Sequence, residues 1–233
     1  MAAIGLAALA AAGPLAVPAD PVAAHDPPGP AATAPSLSST PSLSVIKHAP
    51  DFALPDTSGR VVRLSALRGQ VVVVSFVYTQ CTTACPILTR RLALLQQRLA
   101  RAGLQPRFVS ITVDPERDTA GALERYAAAM GADRRRWHFL RDEPALVAPV
   151  LAAWDEWTRR QGDGEIDHPA RLYLIDARGD VREIYALAFF DERQAELDIR
   201  ALLREPLTRR RRAAARRARP VCPTAWARRA GAA

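Results

Sequence analysis

Residues 71–78 read VVVVSFVY, a β-branched and aromatic run interrupted by one serine. A strand with one wet face alternates polar and apolar residues. A run without alternation must be covered on both faces. This stretch therefore predicts a central strand of an α/β protein, with helices packed over its sheet. The adjoining segment supplies such a helix. From Ala84 to Ala102 the apolar residues Ile87, Leu88, Leu92, Leu95 and Leu99 fall at helical spacing, and Gly103 supplies the stop.

The pattern then repeats. RFVSITV (107–113) reads as a second buried strand. Asp118 or Thr119 can cap a helix running to about Met130. WHFL (137–140) is a short strand, and Pro144 can open a helix through Trp157. RLYLIDA (171–177) and VREIYAL (181–187) flank an Arg-Gly turn and read as an antiparallel hairpin, and residues 191–203 as a last amphipathic helix. Upstream, the segment from Ala49 reads as extended chain, a Ser-Gly turn at 58–59, a short strand at 61–64 and a turn at Gly69. Two βαβ crossovers imply a parallel core, to which the hairpin adds antiparallel strands. The expected class is α/β, with a thioredoxin-like, mixed central sheet flanked by helices. No GxGxxG follows the first buried strand, so nucleotide binding has no support.

This body is expected to span 47–204. Before it, residues 1–17 form an uncharged, Ala-rich apolar run, and VAA before His25 would suit signal peptidase. Residues 1–24 are therefore read as a signal peptide or membrane anchor, without the usual positive n-region. Residues 25–46, rich in Pro, Ser, Ala and Thr, read as a linker. After the body, 205–233 is an Arg-rich tail without periodicity, expected to be disordered or to touch anionic lipid. The whole-chain charge of +8 is concentrated there: residues 204–233 carry ten Arg and one Glu, while 1–203 carry 22 basic and 23 acidic residues. A near-neutral body argues against a nucleic-acid-binding fold. With three cysteines, Cys81, Cys85 and Cys222, this is no disulfide scaffold. Cys222 sits in the tail, where no essential role is expected.

Chemistry gathers in YTQCTTACP, residues 78–86. Cys81 ends the buried strand, and Cys85 lies in the first turn of the next helix. Both sulfurs can reach one point, and the helix N-terminus stabilises thiolate there. Two soft ligands suit Cu(I), and Zn less selectively. The same pair could form a dithiol/disulfide couple, since one residue more than C-x-x-C does not forbid the bond. Two inert core thiols, or a peroxiredoxin nucleophile at Cys85, fit less well; Tyr78 stands where the latter would carry proline. A third donor must come from His48, His138 or His168. His48 lies at the approach to the body, and His138 inside an apolar strand reads as a packed or surface side chain. His168, at the end of the loop GDGEIDHP, could equally face the thiols or be solvated.

FVYTQCTTACP, then ITVDPERDT, then DHPARLYLID, in this order, resemble the Sco/SenC family of copper chaperones, from about Pro50 to Leu203. The resemblance implies an exported domain, periplasmic or anchored to the inner membrane and facing the periplasm. It also implies a role in maturing the binuclear copper centre of cytochrome c oxidase. It places the family's copper ligands, for Cu(I) or Cu(II), on Cys81, Cys85 and His168. Its partners would be the oxidase subunit that carries that centre, a copper donor and a thiol reductant. Asp114 falls on the family's aspartate motif, with a supporting or docking role, or only that of ending a strand. As an oxidoreductase, the chain would use Cys81 as attacking and Cys85 as resolving thiol, and His168 would be dispensable. Two departures stand out. Thr82 replaces a proline frequent after the first cysteine, which should loosen the loop. Pro169 restricts His168 to extended backbone and opens the option of a cis bond.

Overall fold

The computed structural model describes residues 43–206. The apolar N-terminal run, most of the linker, nearly all of the Arg-rich tail and Cys222 lie outside the described residues. In chain order the elements are β1 (Lys47–His48), β2 (Ala53–Pro55), β3 (Val61–Arg63), β4 (Val72–Val77), α1 (Ala84–Arg101), β5 (Arg107–Thr112), α2 (Ala120–Met130), β6 (Trp137–Leu140), α3 (Pro144–Ala153), β7 (Arg159–Arg160), β8 (Ile166–Asp167), β9 (Arg171–Ile175), β10 (Asp180–Ala186) and α4 (Glu192–Arg204). Six strands form one sheet in the order β1-β10-β9-β4-β5-β6. β4 pairs parallel with β5, and β5 parallel with β6, while β9 runs antiparallel to β4. No helix among the described residues is long and apolar enough to cross a membrane.

β4 is central, as its composition demands, and all six of its residues are buried. Successive side chains point to opposite faces. Phe76 packs against Trp154 and Tyr173 on one face, with ring centroids 6.0 Å away in both cases. Ser75, on the other face, bonds Ser110 (2.7 Å), whose oxygen also accepts from the Trp137 indole (2.9 Å). This buried polar chain is satisfied, so the serine in the valine run costs little. α1 buries Leu88, Leu92, Leu95 and Leu99, but Ile87 is exposed. It falls outside the apolar stripe that the others define. Arg91 ties α1 to the start of α4 through Glu192 and the Phe190 carbonyl.

The helix expected through Trp157 ends at Ala153. Asp155 adopts a left-handed conformation (φ 57°) and Glu156 N–H returns to the Leu151 carbonyl (2.9 Å). This is the reversal that normally ends a helix on glycine. It buries Trp154 and Glu156 and leaves Trp157 exposed. Lys47 of β1 pairs with Asp155 at 2.9 Å. At the same edge, the Leu43 carbonyl accepts from buried Arg182, which also bridges Asp176 and Glu205. The chain is thus engaged with the sheet from Leu43. The β9–β10 turn needs its glycine: Gly179 has φ 84°, and a Cβ there would overlap the Arg68 guanidinium.

Two histidines are used structurally. His48 lies between Asp180 (2.8 Å) and Arg68 (2.9 Å). His138 is packed, as expected, with Nδ1 3.2 Å from Asp56 Oδ2. Burial pushes the Asp56 carboxyl up, but donors from Ser58 and Arg60 outweigh it and hold the pKa at about 2. A depressed folded-state pKa stabilises above the unfolded value and is lost as pH falls through the folded one. Asp56→Asn is therefore expected to cost about 1–3 kcal/mol at neutral pH. Urea unfolding should show the gap from wild type closing between about pH 4 and pH 2. A gap that does not change with pH would rule out this role.

Candidate metal centre

The parallel strands deliver the site to one end of the sheet. Beyond the C-terminal end of β4, residues 78–83 form the turn that enters α1. Asp118 holds this turn. Its buried carboxylate accepts from the Thr79 N–H (3.1 Å) and hydroxyl (2.6 Å), and from Thr112. Burial pushes the Asp118 pKa up, against those bonds. The cap of α2 is Thr119, which accepts from the Ala122 N–H at 3.1 Å. Of the two capping candidates, Asp118 thus serves the cysteine turn instead, which only the fold shows.

Cys81 and Cys85 are both buried and both free thiols. Cys81 Sγ accepts from the Cys85 N–H at 3.3 Å, in the first turn of α1. The neighbouring Cys85 thiol is the main cause that lowers the Cys81 pKa to about 4, against the opposing effect of burial. Cys85 shifts upward for the reciprocal reason, its pairing with Cys81, and by burial. These opposite shifts favour Cys81 as the thiol of the pair that ionises first. Cys81 lines a cleft of about 610 Å³ with Tyr78, Thr82, Trp157, Glu165 and His168. A second concavity, about 400 Å³, lies at the opposite strand ends by Arg107 and Arg136, without a thiol or histidine.

His168 arrives from a part of the chain that showed no strand signal. β7 and β8 form a two-residue-per-strand hairpin, Arg159 opposite Asp167 and Arg160 opposite Ile166, and His168 comes directly after it. Short charged strands leave no period to read; the Gly-Asp-Gly turn at 162–164 was the one available hint. His168 Nε2 lies 3.8 Å from Cys85 Sγ, and its ring stands edge-on to Tyr78 with centroids 5.9 Å apart. Its Nδ1 faces Glu156 Oε2 at 3.7 Å. No peptide bond among the described residues is cis, so Pro169 is joined to His168 in trans.

The hairpin is tied to the cysteine turn from two sides. Tyr78 OH donates to Glu165, and the Ile166 N–H donates to Tyr78 OH at 3.2 Å. Thr82 donates to Glu165 at 3.0 Å, so the turn is tethered where loosening was expected from the missing proline. Asp114 is fully buried and touches neither sulfur nor imidazole. It accepts from Arg117 and from Arg160 (2.9 Å), and Arg117 reaches on to the Gly164 carbonyl (2.8 Å) and Gln80 (3.1 Å). Asp114 thereby anchors the hairpin to the end of β5.

The donors fit a soft ion. With zinc-like bonds of about 2.3 Å to sulfur and about 2.0 Å to nitrogen, an angle near 120° separates the two donor atoms by roughly 3.7 Å. The Cys85–His168 separation of 3.8 Å matches. The third donor, Cys81 Sγ, lines the same cleft as His168 and accepts from the Cys85 N–H. No three His, Cys, Asp or Glu side chains among the described residues are already gathered around one point. Closing such a site requires the three donors to draw closer together.

Comparison with known proteins gives the same outline. The SCO1/SenC family model matches residues 42–204. The SCO1 protein homolog of Bacillus subtilis (strain 168) is 28% identical over 137 residues, which is 58% of this chain and 71% of that protein. The mitochondrial SCO2 homolog of Bos taurus is 44% identical over 142 residues, 59% of this chain, and the match spans about half, 53%, of that relative. The structure of Bradyrhizobium japonicum ScoI with copper bound is similar at a TM-score of 0.59 and 26% identity, over 67% of this chain and 99% of that one. The expected thioredoxin-like architecture, a mixed sheet flanked by helices, is shared with these structures. With a family match across most of its length and three motifs in order around one cleft, the chain belongs to the SCO1/SenC family.

Proposed function

We propose that this chain binds one copper ion through Cys81, Cys85 and His168 and passes it to the subunit of cytochrome c oxidase that carries the binuclear copper centre. The observation that carries this is the approach of His168 Nε2 to Cys85 Sγ, across 83 residues of chain, with Cys81 Sγ against the Cys85 N–H. Two soft sulfurs and one imidazole suit Cu(I), and the imidazole also accommodates Cu(II). The copper-bound relative supports the choice of metal. Copper is cargo here: it arrives from a donor and leaves by stepwise exchange onto the recipient's cysteines and histidines. Delivery of this kind places the domain outside the cytoplasm, so residues 1–24 are assigned to export or anchoring at the inner membrane. A thiol reductant keeps Cys81 and Cys85 competent.

The test is a copper titration of the reduced full chain against a chromogenic Cu(I) chelator, with Cys222→Ser so that only the site thiols compete. Wild type is expected to hold one copper. His168→Ala is expected to lose at least about 10-fold in affinity while still forming the Cys81–Cys85 disulfide. Equal affinity in the two proteins would remove His168 from the site.

Cys81 lining the cleft, with the two thiols shifted in opposite directions, favours a second activity. In thiol–disulfide exchange the Cys81 thiolate attacks a client disulfide and releases one client thiolate. The Cys85 thiol, deprotonated, then displaces the second. The client gains two electrons, and Cys81 and Cys85 end as a disulfide. Metal-free protein should then reduce a copper-ligand disulfide faster than a small thiol does, with or without His168. A rate no higher than the small-thiol control would exclude it.

A further inference from the structure

Glu156 is buried in the wall behind His168, on the side away from the thiols. Its Oε2 and the His168 Nδ1 are both sealed from solvent, 3.7 Å apart, and neither has any hydrogen-bond partner. The other oxygen, Oε1, shares the single proton of the Tyr173 hydroxyl (3.2 Å) with the Trp154 carbonyl, the nearer acceptor at 2.9 Å. Burying a carboxylate is costly unless it meets a donor. The chain commits to it through the left-handed turn at Asp155.

We propose that Glu156 is a positioning residue for His168: it takes the Nδ1–H and so fixes the tautomer whose Nε2 lone pair faces Cys85 and the metal. The alternative tautomer would put the Nδ1 lone pair against the carboxylate oxygen, two acceptors facing each other in a dry pocket. It would also spend the Nε2 lone pair on a proton. A carboxylate behind a ligand histidine sets ring orientation and raises ligand basicity. Tyr173 and Trp154 then form the outer tier, linking the imidazole through Glu156 to β9 and to the end of α3. The metal-binding half of this inference rests on the copper-site reading, but the tautomer does not.

The test has two arms on the reduced full chain. First, long-range nitrogen–proton NMR of the metal-free protein reads the His168 tautomer. Wild type and Glu156→Gln, whose amide oxygen still accepts, are expected to show Nδ1–H; Glu156→Leu is expected to shift to Nε2–H. Second, chelator competition reads Cu(I) affinity, expected to fall about 10- to 100-fold in Glu156→Leu and far less in Glu156→Gln. Glu156→Leu is also expected to melt no lower than wild type, because an apolar side chain replaces a buried carboxylate. A purely structural role would show the reverse, a lower melting temperature with unchanged affinity. Nε2–H in the wild type, or Nδ1–H retained in Glu156→Leu, would overturn the proposal. If wild type and His168→Ala bind copper equally while the tautomer still depends on Glu156, the copper site fails and the positioning role stands.

Discussion

Cys85→Ala in the reduced full chain is expected to lower Cu(I) affinity at least about 100-fold, beyond what loss of an outer-shell partner costs. In the proposed site Cys85 is one of two soft donors, and its sulfur lies 3.8 Å from the His168 Nε2. Its loss leaves a single thiolate beside His168, a poor site for Cu(I). The same substitution has a second consequence, readable without metal. The Cys85 thiol is the chief reason that Cys81 ionises at about 4. In wild type, alkylation of Cys81 should titrate near that pH, while Cys85, shifted the other way, stays unreacted through neutral pH. In Cys85→Ala the donor is gone, and the Cys81 midpoint is expected to move up toward the free-thiol range, about 8.5. Mass spectrometry of the alkylated chain across pH reads both. A Cys81 midpoint that stays near its wild-type value would show that the helix N-terminus, not Cys85, holds the thiolate.

The second large effect is on stability. Trp154→Ala is expected to cost about 3–5 kcal/mol, the usual range for emptying a large aromatic site. Trp154 is fully buried where α3 ends, with ring centroids 5.0 Å from Tyr173, 6.0 Å from Phe76 and 6.3 Å from Phe52. It joins the start of the body to β4 and β9. Melting should fall by roughly 6–20 °C for a domain of this size. Trp157, three residues on, is 55% exposed, and Trp157→Ala should change stability by no more than about 0.5 kcal/mol. Denaturant unfolding of both variants checks the contrast. Similar losses in the two would mean that the turn at Asp155 does not sort them as described.

That contrast shows where sequence reasoning stops. Both tryptophans fell within one expected helix, and periodicity offered no reason to part them. The left-handed residue between them is an aspartate, not the glycine that advertises such a turn. The β7–β8 hairpin escaped for a related reason. Its strands are too short and too charged to show alternation, so their pairing is held by Arg160, Arg117 and the Asp114 carboxylate instead. Thr82 looked like a loss of stiffness because the residue that tethers it, Glu165, is distant in sequence.

The amino-acid sequence by itself determined the central sheet and the place of the thiols. An unalternating valine run can only be an interior strand, and a cysteine at its end with another four residues on must lie at a helix entrance. These are local consequences of period and spacing, with interaction ranges of a few residues. The tertiary structure alone decided which histidine meets the thiols, how the turn is held and what stands behind the imidazole. His48 and His138 are as able to bind metal as His168, but each is paired elsewhere. Glu156, Asp118 and Asp114 are ordinary acidic residues until the sheet order brings them to one end of β4 and β5 and closes them off from water. Contacts across tens of residues carry no local period; they exist because strands adjacent in the sheet are not adjacent in the chain.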